Sequence, residues 1–156
     1  MKRSAIVIAS VLALAGASAQ AFTDTWSDLS QAYDNSVSYG RNGLSFTDTV
    51  NFTLTGLSDV SVTVGSTGLS NAVFSLYMGG SLLESTDITG KTVVVAPYTS
   101  LAAGAYSFVV SGTVNSKPGV YNLNANVAAV PEPETYALML AGLGAVGFMA
   151  RRRKSA

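Results

Sequence analysis

Between Ser45 and Thr55 the chain reads SFTDTVNFTLT. Phe46, Val50, Phe52 and Leu54 fall on one side; Thr47, Thr49, Asn51, Thr53 and Thr55 fall on the other. A period of two predicts a strand with one wet face. Threonine suits that face, because its branched β-carbon fits a strand and its hydroxyl tolerates water. Asp48 interrupts the apolar side. The stretch DVSVTVG repeats the alternation, with Val60, Val62 and Val64 set against Ser61 and Thr63. AVFSLYM places Phe74, Leu76 and Met78 together, Gly79-Gly80 offers a turn, and SLLES predicts a returning strand. TVVVAP predicts a strand covered on both faces or entering the edge of the core, ended by Pro97, which cannot donate to a ladder. Tyr106, Phe108 and Val110 alternate with Ser107, Val109 and Ser111, and Lys117-Pro118-Gly119 reads as a turn. The last run places Tyr121, Leu123, Ala125 and Val127 opposite a row of Asn122, Asn124 and Asn126.

Six to eight short strands with few helix signals predict an all-β domain. The expected fold is an antiparallel β-sandwich, with a jelly roll as one form of it. WSDLSQAYDNS is compatible with a brief turn, a loop or a strand. No fixed-period repeat supports a solenoid.

Both ends break the alternation. The chain opens MKRSAIVIASVLALAGASAQAF. Lys2 and Arg3 precede an apolar run. Ala17-Ser18-Ala19 and Ala19-Gln20-Ala21 both offer the small residues a signal peptidase reads. Residues 1–21 are therefore expected to be a signal peptide, cut after Ala19 or, preferably, after Ala21. Residues 22–129 would then form the secreted β domain. The other end, VPEPETYALMLAGLGAVGFMARRRK, has a polar head, an uncharged segment over 135–150 and a basic cluster. Pro131 and Pro133 stiffen the approach, and Glu132 and Glu134 keep it wet. The uncharged segment predicts a short transmembrane helix, with Arg151, Arg152, Arg153 and Lys154 retained in the cytoplasm as its topology anchor. At a helical rise it reaches about 24 Å, against a hydrocarbon core of about 30 Å.

The zero formal charge hides an uneven distribution. Within residues 22–130 the basic residues are Arg41, Lys91 and Lys117; the acidic ones are Asp24, Asp28, Asp34, Asp48, Asp59, Glu84 and Asp87. No basic stripe exists for phosphates, which argues against nucleic acid. The chain has no histidine and no cysteine. Imidazole acid–base chemistry, thiolate metal sites and cysteine nucleophiles are excluded. No nucleophile elbow, phosphate loop or zinc spacing is present. The expectation is a protein that is not an enzyme, with no catalytic residues, cofactor or metal site. Asp48 is costly on an apolar face unless a partner satisfies it. A strand edge or bulge, with the carboxylate capping backbone amides, is the preferred reading there, and a calcium ligand the alternative. Tyr33, Tyr39, Tyr77, Tyr98, Tyr106 and Tyr121, with Trp26, are candidates for stacking on sugars or for ordinary core.

The order Pro131-Glu132-Pro133, apolar segment, basic cluster resembles the PEP-CTERM proteins, which makes residues 130–156 a sorting signal. The resemblance implies recognition at Pro131, Glu132 and Pro133 by an exosortase in the inner membrane of a Gram-negative bacterium. It also implies processing there, often alongside exopolysaccharide production. Phe22, Asp24 and Trp26 in FTDTW, and Phe46, Asp48 and Phe52 in FTDTVNF, are similar to the FxDxF branch of these proteins. Trp26 and Val50 stand where that motif has its last phenylalanine. The branch implies secreted structural or adhesive proteins of the biofilm matrix.

Together these readings predict a non-catalytic exported protein, bound transiently to the inner membrane and then placed at the cell surface or in the extracellular matrix. Its expected partners are signal peptidase and the general secretion machinery, an exosortase and extracellular polysaccharide. The alternatives are a carbohydrate- or calcium-binding module and a permanently membrane-anchored surface protein.

Overall fold

The computed structural model describes residues 19–131 and 133–153. The predicted alternation is realised as nine strands among them: β1 (Thr23–Thr25), β2 (Tyr33–Tyr39), β3 (Ser45–Leu54), β4 (Ser58–Thr67), β5 (Leu69–Met78), β6 (Ser81–Asp87), β7 (Thr92–Leu101), β8 (Gly104–Val114) and β9 (Gly119–Ala129). They form two sheets, ordered β1-β3-β8-β5-β6 and β2-β9-β4-β7. From β2 onward the chain passes back and forth between the sheets and stays in one sheet only at the β5–β6 hairpin. This is a jelly-roll order. All strand pairs are antiparallel except β1 with β3, which is parallel.

The core lies between the sheets and takes the inward positions of both. Phe46, Phe52, Phe74, Leu76, Phe108 and Val110 come from the first sheet; Val60, Val62, Val64, Tyr121 and Leu123 come from the second. Phe52 and Phe108 pack with ring centroids 4.6 Å apart, and Phe74 continues the stack at 5.5 Å from Phe108. Burial of these rings supplies the main favourable contribution to folding.

Pro97 does not end its strand. It lies inside β7, which runs to Leu101 at the edge of its sheet. Ser58, Val60 and Val62 pair with Leu101, Tyr98 and Val95, so β7 spends an extra residue at each step. Pro97 falls in the second bulge. Edge position and bulge together remove the need for its missing N–H.

The tail requires a larger correction. Helix α1 covers Pro133–Arg153, but no helix among the described residues is long and apolar enough to cross a membrane. The expected transmembrane helix over 135–150 is overturned. Glu134 and three arginines fall within α1, Gly142, Gly144 and Gly147 dilute its apolar run, and the uncharged part is too short for the hydrocarbon core. Pro133 takes the first helical position, where its missing N–H is harmless, and Glu134 suits the positive end of the helix. Just before α1, the Val130 N–H donates to Leu57 O at 2.9 Å. Leu138, Leu140, Leu143 and Phe148 then stand exposed. At the other end, residues 1–18 of the expected signal peptide lie outside the described residues.

Gly68 joins β4 to β5 at φ +68°, and a Cβ there would stand 2.6 Å from the Pro118 carbonyl oxygen. Gly56 has open space and no such conformation. Gly68→Ala should lower stability by about 2 kcal/mol or more, and Gly56→Ala by under about 1 kcal/mol. Urea midpoints of the two variants check this.

Candidate functional site

Strict alternation forces Asp48 inward, between Phe46 and Val50 on the core face of β3. Its side chain is 1% exposed. Three elements supply its partners. The Phe22 N–H, just before β1, donates to Oδ1 at 3.0 Å. The Tyr39 hydroxyl of β2 and the Tyr121 hydroxyl of β9 both donate to Oδ2, the latter at 2.6 Å. Phe46 fixes the two tyrosines, with its ring 4.5 Å from that of Tyr39 and 5.7 Å from that of Tyr121.

Burial pushes the Asp48 carboxyl above its usual range, and the bonds from Tyr121, Tyr39 and Phe22 oppose that rise. Burial also raises Tyr39 and Tyr121 beyond the ordinary phenol range, and the adjacent Asp48 adds to it. Both hydroxyls therefore remain protonated donors at physiological pH. A carboxylate closed off from solvent and committed to three donors is a pin between sheets. It presents no open oxygen to a substrate or a cation.

A second polar group lies along β1 and β2. The Tyr33 hydroxyl donates to Asp24 Oδ2 at 2.9 Å, and Asn35 Nδ2 donates to the Tyr33 hydroxyl at 3.0 Å. The Asn35 side-chain oxygen is buried without a hydrogen-bond partner among the described residues. Trp26 closes the start of the loop into β2, its indole N–H shared between the Asp28 and Gln31 carbonyls at 3.0 and 3.2 Å.

The two FTDT segments are brought side by side. Thr23, Asp24 and Thr25 pair in parallel with Thr49, Val50 and Asn51. Phe22 thereby reaches Asp48, and Trp26 packs 5.7 Å from Phe52. Five of the aromatic residues considered for sugar stacking, Trp26, Tyr33, Tyr39, Tyr106 and Tyr121, are buried. The amphipathic character of tyrosine hides this in the sequence: an inward phenol needs an acceptor, and the acceptors here are remote along the chain. Of the turn, loop and strand open to WSDLSQAYDNS, the strand is realised from Tyr33 onward as β2, where Tyr33, Asn35, Val37 and Tyr39 alternate with Asp34, Ser36 and Ser38. Polar Asn35 masks the pattern. The sorting residues are separate from this cluster along the chain. Pro131 is exposed, Pro133 begins α1, and Arg151, Arg152 and Arg153 end it; Glu132 and Lys154 lie outside the described residues.

Residues 129–154 match the family model described as the PEP-CTERM protein-sorting motif. A sorting motif of this kind is thus present at the C-terminal end; the FxDxF branch is not shown. No curated protein matches the chain. Among solved structures, the pre-peptidase C-terminal domain of collagenase from Bacillus anthracis is 16% identical, with a TM-score of 0.45 over 74% of this chain and 100% of that one. The periplasmic g-type lysozyme inhibitor PliG of Aeromonas hydrophila is 20% identical, with a TM-score of 0.42 over 71% and 100%. A PliG mutant from Escherichia coli is 18% identical, with a TM-score of 0.42 over 69% and 99%. Likenesses this distant carry no functional information.

Tyr121→Phe removes one donor from a buried carboxylate and should cost about 2–3 kcal/mol. Tyr106→Phe loses only a bond to the Ala102 carbonyl and should cost about 1 kcal/mol. Equilibrium urea unfolding distinguishes the two.

Proposed function

We propose that this chain is a non-catalytic surface protein, exported and then sorted through its C-terminal segment by an exosortase. Its body is retained in extracellular polysaccharide. The observation that carries the reading is the sorting motif at 129–154. Pro131, Glu132 and Pro133 serve as the recognition segment. Arg151, Arg152, Arg153 and Lys154 set the direction in which the tail is presented. Signal peptidase and the general secretion machinery act at the other end, where residues 1–21 are the leader.

The body offers two outer faces built from short hydroxyl, amide and carboxylate side chains. On one sheet, Asp34 and Ser36 of β2 lie beside Asn124 and Asn122 of β9, and Ser61 of β4 lies beside Asn126. On the other, Thr47 and Asn51 of β3 lie beside Ser111 and Ser107 of β8. Such rows exchange hydrogen bonds with sugar hydroxyls at many equivalent points. They favour weak contact spread along a polymer over capture of one sugar in a pocket. Burial of five aromatics withdraws the rings a deep sugar subsite would use.

Three measurements check the proposal. Intact mass of the extracellular protein should show an end within residues 131–134; a mass that retains the basic cluster would overturn processing. Joint replacement of Pro131, Glu132 and Pro133 should leave the precursor unprocessed at this end while the leader is still removed. For the body, the mature protein should be retained on the producing strain's exopolysaccharide equally with calcium or with a chelator. Absence of retention in both would sink the matrix role, and retention only with calcium would favour a cation-bridged module.

A further inference from the structure

The cluster around Asp48 holds a buried carboxylate whose three bonded partners are all neutral: two phenols and one backbone amide. Burying a charge without an opposite charge is expensive. The amide among the partners belongs to Phe22, and Phe22 directly follows Ala19-Gln20-Ala21, one of the two small-residue sites in the leader. We propose that the leader is cut between Ala21 and Phe22, and that the amino terminus this makes becomes the counter-ion of Asp48.

The chemistry is ordinary hydrolysis. Water adds across the Ala21–Phe22 amide, the C–N bond breaks, Ala21 leaves as a carboxylate, and the Phe22 nitrogen takes up protons to become an ammonium. That nitrogen already stands 3.0 Å from Asp48 Oδ1. Cutting does not release Phe22 from the sheet. Its carbonyl still accepts from Thr49 N–H at 2.8 Å, and Trp26 N–H still donates to Asn51 O at 2.8 Å. The new charge therefore forms in place, against a closed carboxylate.

The competing cut after Ala19 has a structural attraction of its own. Gln20 pairs with both neighbours of Phe46, donating to Ser45 O at 3.0 Å and accepting from Thr47 N–H at 2.9 Å. Ser45 and Thr47 are exposed, so water can replace those two bonds. Water cannot replace a cation beside Asp48, which is 1% exposed. The buried charge thus outweighs the edge pairing.

The consequence is a maturation device that rests on the leader reading. The leader-bearing chain carries an uncompensated buried charge and is the less stable form, which suits passage through a secretion channel. Removal of the leader then locks β1 onto β3. The titratable groups around the new terminus are Asp48 on β3, Tyr39 and Tyr33 on β2, Tyr121 on β9 and Asp24 on β1. Pairing raises the α-amino group above its unfolded value near 8. Its stabilisation is present while the amine is charged and Asp48 is ionised: it is lost as pH rises through the amine's folded value, and also as pH falls through that of Asp48, which burial raises.

The test uses the full chain expressed with its own leader in an exporting host. The mature protein's first residue is read by mass spectrometry of its terminal peptide. The native protein is then labelled with an amine-reactive reagent at pH 7. We expect Phe22 first, with its α-amine labelled more slowly than exposed Lys117. Each unit of upward pKa shift lowers the reactive neutral fraction about tenfold. In Asp48→Asn the α-amine should instead label ahead of Lys117; if that variant does not fold, the comparison within the native protein stands by itself. A first residue of Gln20 overturns the proposal. So does a Phe22 terminus labelled ahead of Lys117. A chain retaining Met1 overturns it through failure of the leader reading itself, a separately visible result.

Discussion

Asp48 places a negative charge in the interior of a small all-β body with no cysteine to hold it together. Everything near it is arranged to make that tolerable. β2 and β9 belong to one sheet and each contributes a phenol; β3 belongs to the other and carries the carboxylate; the chain before β1 brings a backbone donor across its edge. One side chain thus ties both sheets and the N-terminal strand. Apolar packing is non-directional, whereas these bonds require one register. A slip of β3 by a single residue would turn Asp48 outward and leave Tyr39 and Tyr121 without their acceptor.

This constraint separates stability from function. The most polar point in the interior is sealed, while short polar side chains line the outer faces and Leu82 and Leu83 of β6 stand exposed. The tail is the reverse case. α1 exposes its leucines and Phe148. This exposed helix and the sorting motif coincide in sequence, so a poorly covered part of the described chain is the part that carries an address.

Much of the fold was legible because the alternation is nearly unbroken. The inward row Phe46, Asp48, Val50, Phe52, Leu54 is buried throughout, and the β5–β6 hairpin turns at Gly79-Gly80, both at positive φ. Asp48 could be recognised as a buried anomaly. Its partners could not, because Tyr121 lies 73 positions away and pairing between sheets leaves no local mark. Pro97 misled because a proline is a strand breaker only where its N–H is needed, and an edge bulge does not need it. The tail misled because charge-free length resembles a membrane span, while its glycines and flanking charges lower its mean apolarity.

Native-state hydrogen exchange of the mature protein and of Asp48→Asn tests the account most directly. The Thr49 and Trp26 amides report the docking of the N-terminal strand, since they bond Phe22 and Asn51. The account predicts that these two lose protection in the variant by about tenfold or more beyond any loss in β5 and β8. Equal protection at Thr49 and Trp26 in both proteins would contradict the claim that the buried carboxylate holds the N-terminal strand in place.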